Sequence, residues 1–129
     1  MNIIVNTIPF FERNINNGLQ WFFIKKGFGD IMISIGIYKQ GQDLLIGACD
    51  ENLLGKEYKE GKFHLRVDKN FYGGKTISEK MLQQYLKGAT IANLVGDTCI
   101  KVAIKMGIID PSCIIRINGI PHAQMVRMI

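Results

Sequence analysis

His122 stands in the run Ile120-Pro121-His122-Ala123-Gln124, directly after an Asn118-Gly119 pair. Imidazole is the side chain whose charge ordinarily changes near neutral pH, so His122 can serve as base, acid or hydrogen-bond donor. Catalysis by histidine needs a positioned nucleophile or carboxylate, and the chain offers Asp97, Asp110, Cys99 and Cys113 without a spacing that selects among them. His122 with Asp97 is the narrow catalytic reading; a structural or recognition histidine, with Gln124 beside it, is the broader one. Asn93, Asp97 and Lys101 recur every four residues, which on a helix places them along one face. Such a face is either a solvated Asp-Lys pair or an amide and a carboxylate directed into a groove. Tyr72-Gly73-Gly74 precedes a helical pattern; glycines there form a turn or let backbone N–H groups approach an anion. No phosphate-loop or dinucleotide-loop spacing accompanies them. Two isolated histidines and three dispersed cysteines give no metal-ligand spacing, and no cofactor is expected.

These residues need elements to hold them. Ile33, Ile35 and Ile37 alternate with Ser34, Gly36 and Tyr38, the period of a half-buried strand. A polar stretch at 39–43 and the apolar run 44–49 complete a hairpin candidate. Residues 53–61 read as a turn or short helical piece, and Phe63, Leu65 and Val67 as a third strand. Asn70–Gly74 reads as a loop. Thr76 with Glu79 matches a capping box, followed by an apolar face of Ile77, Met81, Leu82, Tyr85 and Leu86. A second helix is expected from Ile91 to Met106, since apolar residues recur at three and four and Gly107 stands at a C-cap position. Its interior Gly96 costs about 1 kcal/mol against alanine and implies close packing or a kink. Asn118-Gly119 marks a closing hairpin, with Pro121 making its second strand start late or lie at an edge. The expectation is an α+β fold: a small mixed sheet of two hairpins and an additional strand, packed against two central helices.

The chain has 129 residues, 47% hydrophobic and 21% charged, a balance that supports one core. One α+β domain is expected over 32–129. Residues 1–31 differ, carrying most of the Phe residues and the single Trp without a sustained period. They are expected to be an N-terminal leader, either a packing arm or a segment ahead of a true start at Met32. Sixteen Lys and Arg against 11 Asp and Glu give a net charge of +5, a mild attraction to phosphate. The basic residues are scattered, with Lys25-Lys26 the adjacent pair. Cys49, Cys99 and Cys113 suit a reducing compartment and no disulfide framework. No apolar run approaches a bilayer span, so the cytoplasm is expected and a membrane partner is not.

Four segments together resemble the archaeal family catalogued as domain of unknown function 424. They are Cys49-Asp50 through Leu54-Gly55-Lys56, Phe71-Tyr72-Gly73-Gly74, Ala89-Thr90-Ile91-Ala92-Asn93-Leu94-Val95-Gly96, and Gly119-Ile120-Pro121-His122-Ala123-Gln124. The resemblance covers residues 32–129. It implies at most a place near the translation apparatus, with ribosomal or transfer RNA or a translation protein as partner. The leading expectation is therefore a noncatalytic binding or assembly factor in translation or RNA metabolism, using Tyr72, Gly73, Gly74, Asn93, Asp97, His122 and Gln124 if they converge. Two alternatives stand beside it. One is a small enzyme acting on a nucleotide or metabolite with His122 as acid/base, which requires a pocket shared with Asp97 or Asn93; the other is a protein–protein adaptor with an apolar patch around Trp21 or Tyr72. Local periodicity does not reveal oligomeric state.

Overall fold

The computed structural model describes residues 32–127; the expectations for the leader at 1–31 lie outside them. Strand β1 (Ile33–Gln40) turns tightly into β2 (Asp43–Asp50) and pairs with it antiparallel along its whole length. After a 3-10 turn at Glu51–Leu53 come β3 (Glu57–Glu60) and β4 (Phe63–Arg66), a separate antiparallel hairpin. A one-turn helix α1 (Lys69–Tyr72), strand β5 (Lys75–Ile77), helix α2 (Glu79–Gly88), strand β6 (Ile91–Val95) and helix α3 (Asp97–Met106) follow. A 3-10 turn at Pro111–Cys113 leads to the last hairpin, β7 (Ile115–Ile117) and β8 (Ile120–Val126). The main sheet has six strands in the order β5-β1-β2-β6-β8-β7, and β2 with β6 is its parallel pair. This is the expected α+β architecture, a mixed sheet against two helices.

The pleat sorts side chains to two faces. Ile33, Ile35, Ile37, Ile46, Ala48, Ala92, Leu94, Ala123 and Met125 join Leu82, Leu86, Cys99, Val102 and Ala103 from α2 and α3 in the larger core. On the opposite face, Leu45, Cys49 and Val95 pack with Leu65, Val67, Phe71 and Tyr72. Phe71 stacks on Tyr38 with ring centroids 5.5 Å apart and lies over Gly47, where a Cβ would come within 2.5 Å of the ring.

Several local expectations need correction. The helix expected over 91–106 is strand β6 followed by helix α3. A strand buried on both faces is a continuous apolar run, and Ala92-Asn93-Leu94-Val95 is buried throughout, so its spacing mimicked a helical face. Gly96 makes the break: its φ of 108° and ψ of 154° belong to a region essentially restricted to glycine. Residues 53–61 hold β3 rather than a helical piece, because Glu57–Glu60 pairs with β4 and gains its order from that register. Within 70–74, Asp68 caps α1 by accepting the Asn70 N–H at 2.9 Å. Thr76 lies in β5, opposite Ser34, and the cap of α2 is Ser78, which accepts the Met81 N–H at 3.1 Å. Asn118 and Gly119 both have positive φ, 54° and 84°, as the expected hairpin requires. Pro121 sits inside β8, second from the sheet edge. Its missing N–H would face the carbonyl of Gly96, just past the end of β6, and that carbonyl already accepts the Ile100 N–H at 3.0 Å, while the Gly96 N–H donates to the Pro121 carbonyl at 2.9 Å.

Candidate functional site

The parallel β2–β6 pair is pinned by side chains at both ends. At its start the Thr90 hydroxyl accepts the Leu44 N–H at 2.9 Å and lies 3.0 Å from the Asp43 carboxylate. At its end the buried Asp50 carboxylate accepts the Thr98 and Cys99 N–H groups, each at 3.0 Å. Those donors open α3, whose own cap position is Gly96 with no side chain to offer. Asp50 supplies the missing cap from a neighbouring strand, and its charge complements the positive end of the helix. A Cβ on Gly96 would collide with the Asp50 carboxyl.

The sheet register brings part of the expected cluster together. Across the face opposite α2 and α3, Gly47, Asn93 and Gln124 form one row and Cys49, Val95 and His122 the next. Asn93 is fully buried, Gln124 is exposed, and His122 is 4% exposed. Both His122 ring nitrogens are buried and lack a hydrogen-bond partner; burial drives the imidazole pKa down from 6.5 to about 4. Tyr72 is buried over the same face, and burial raises its phenol pKa. Its carbonyl accepts the Ser34 hydroxyl at 2.9 Å.

Gly73 and Gly74 stand where backbone passes close by. A Cβ at Gly73 would lie 2.6 Å from the Lys69 carbonyl oxygen, and one at Gly74 2.7 Å from that of Ile35. A shallow recess of about 230 Å³ lies beside them along Ile35–Tyr38. Asp97 is separated from the cluster: it opens α3 on the helix side of the sheet, exposed, 3.8 Å from Arg116 of β7.

A groove of about 320 Å³ does contain Asp97. Helix α3 forms one wall and residues 114–116 the other; Ile100, Ile104 and Ile114 give it an apolar floor, and Lys101, Lys105 and Arg116 a basic rim. Sequence reasoning found Asp97 and Lys101 but not the rest. Once the helix starts at Asp97, Lys105 continues the same four-residue interval, while Arg116 arrives only through tertiary packing.

Cys49 and Cys99 are buried and Cys113 is exposed. Burial, with Asp50 beside it, pushes the Cys49 thiol up to about 12 and the Cys99 thiol well above its ordinary value. Neither forms a thiolate readily. Among the described residues no group of three or more His, Cys, Asp or Glu is placed to hold a metal ion, and no helix is long and apolar enough to cross a membrane.

Residues 38–128 match the archaeal family described as Protein of unknown function (DUF424). The chain belongs to that family. The fold is shared with the crystal structure of an uncharacterized conserved protein from Methanopyrus kandleri. The likeness has a TM-score of 0.61 at 24% identity and covers 76% of this chain and 96% of the other. No curated protein matches the chain. The family match takes in α1, the β6 strand and the β7–β8 hairpin, so it spans Tyr72, Asn93, Asp97 and His122 together with the whole α3–β7 groove.

Proposed function

We propose that the protein is a noncatalytic binding or assembly factor of translation or RNA metabolism, meeting ribosomal or transfer RNA, or a protein attached to it, through the α3–β7 groove. The observation that carries this reading is the grouping of Lys101, Lys105 and Arg116 around one recess, with Asp97 as its acid. Cations gathered on one face attract phosphate-rich assemblies by releasing counterions, and that attraction weakens with salt. Tyr72 and His122 are each 4% exposed, so the reading assigns them no base stacking and gives the contact to the rim. The enzyme alternative is disfavoured by the same geometry. A substrate has no access to a buried His122, and Asp97 lies on the other side of the sheet.

The test is recovery of RNA and protein together from native lysate on the tagged full chain, at low and high salt, beside Lys101→Glu/Lys105→Glu. Recovery of ribosomal or transfer RNA that is lost at high salt and in the variant supports the proposal. Absence of both RNAs, or recovery that ignores the charge reversal, overturns it.

A further inference from the structure

We infer that the α3–β7 groove takes an acidic amphipathic helix of a partner protein, and that nucleic acid is held through that partner. This rests on the binding-factor reading above and names the chemistry of its contact.

The helix layer stops short of the sheet edge. Helix α3 packs over β2, β6 and β8, while β7 is the edge strand beyond them. The groove occupies the resulting corner, bounded by α3 and residues 114–116. Its floor has the spacing of a helix-packing surface: Ile100 and Ile104 lie one turn apart on α3 and Ile114 faces them across the recess. Ile104 is 37% exposed, an apolar side chain left uncovered between Lys101 and Lys105. Both lysines can lay aliphatic stems along that floor and keep their ammonium groups at the rim.

Charge selects the occupant. Lys101, Lys105 and Arg116 outnumber Asp97, which already has Arg116 at 3.8 Å. Phosphate backbone alone would satisfy this rim but leave Ile104 and the half-buried Ile114 wet, and the floor carries no aromatic ring on which a base could stack. A helix with an apolar stripe flanked by Glu or Asp satisfies floor and rim together. Helix α3 has 10 residues, about 15 Å of length, so a partner helix of about three turns spans the groove.

The probe is a fluorescein-labelled peptide of about 14 residues with leucines at one-turn spacing and glutamates at its remaining outward positions. It is compared by anisotropy with a permutation that scatters the leucines, a lysine-for-glutamate version, and a uridine oligonucleotide of equal length. The full-length protein is titrated beside Ile104→Ser and Lys101→Glu/Lys105→Glu, both on exposed positions and both checked by thermal melting. The expected result is binding of the acidic amphipathic peptide about tenfold or more tighter than the permutation or the oligonucleotide. Ile104→Ser weakens it about tenfold, the size of one lost apolar anchor, and the charge reversal transfers preference to the lysine version. Equal affinity for the permutation, indifference to Ile104→Ser, or preference for the oligonucleotide overturns the inference. If salt-sensitive RNA recovery persists in such a case, the broader reading survives; loss of that recovery from the unmodified chain removes both.

Discussion

The Asp50 carboxylate, at the end of β2, fills the space where a Cβ of Gly96 would lie and accepts the N–H groups of Thr98 and Cys99 in the first turn of α3. Strand, glycine and helix are thereby locked as one unit. Asp50→Ala leaves those donors buried without an acceptor and is expected to cost about 2–3 kcal/mol. Gly96→Ala adds backbone strain to the collision and is expected to cost about 2 kcal/mol or more. Each residue is the other's reason, so the double variant should fall well short of the sum of the two losses. Urea unfolding of the three variants measures this; additive losses would show that the residues act separately.

His122 predicts a pH profile. Its folded-state pKa is near 4 against 6.5 when exposed, so between these values the unfolded chain binds the proton and the folded chain does not. Stability is therefore complete above pH 6.5 and declines as pH falls towards 4, by about 3 kcal/mol for this group. His122→Leu should remove that component of the slope. At pH 7.5 it should be neutral or stabilising, because two buried polar atoms without partners disappear. An unchanged slope between pH 6.5 and 4.5 in chemical denaturation would contradict this assignment.

Phe71 and Gly47 form a steric pair. Phe71→Ala should cost about 3–5 kcal/mol by opening a cavity under Tyr38. Gly47→Ala should cost about 1–3 kcal/mol by overpacking the ring. Gly47→Ala/Phe71→Leu should recover part of the alanine loss, which the melting temperatures of the three variants would reveal; no recovery would mean that Gly47 matters for its backbone alone.

How much of this was legible follows from where each residue's environment comes from. Ile33, Ile35 and Ile37 alternate with Ser34, Gly36 and Tyr38, so the change of side-chain type announced β1 even though Ser34 and Gly36 are buried as well. Asn118-Gly119 carried its own turn chemistry and announced the last hairpin. Ala92 to Val95 is buried on both faces, which erases the alternation that separates strand from helix. Glu57–Glu60 is mostly polar and exposed, and takes strand form from β4 rather than from its own pattern. The candidate cluster was half legible for the same reason: Asn93, His122 and Gln124 meet through strand register, whereas Asp97 belongs to a groove whose Arg116 wall no local spacing could reveal.

The parallel pairing of β2 with β6 also orders events while the chain is being made. Hairpin β1–β2 can close as soon as Asp50 has emerged, since every pairing within it is local. Its outer edge must then wait, because Leu44 and the Thr90 hydroxyl that it meets are 46 residues apart. For that interval Leu45–Cys49 presents unpaired backbone groups on an apolar strand, a template for wrong pairing with another chain. Asp50, at the end of that strand and not yet engaged with the N–H groups of α3, guards the exposed edge of the nascent hairpin before it serves the finished fold.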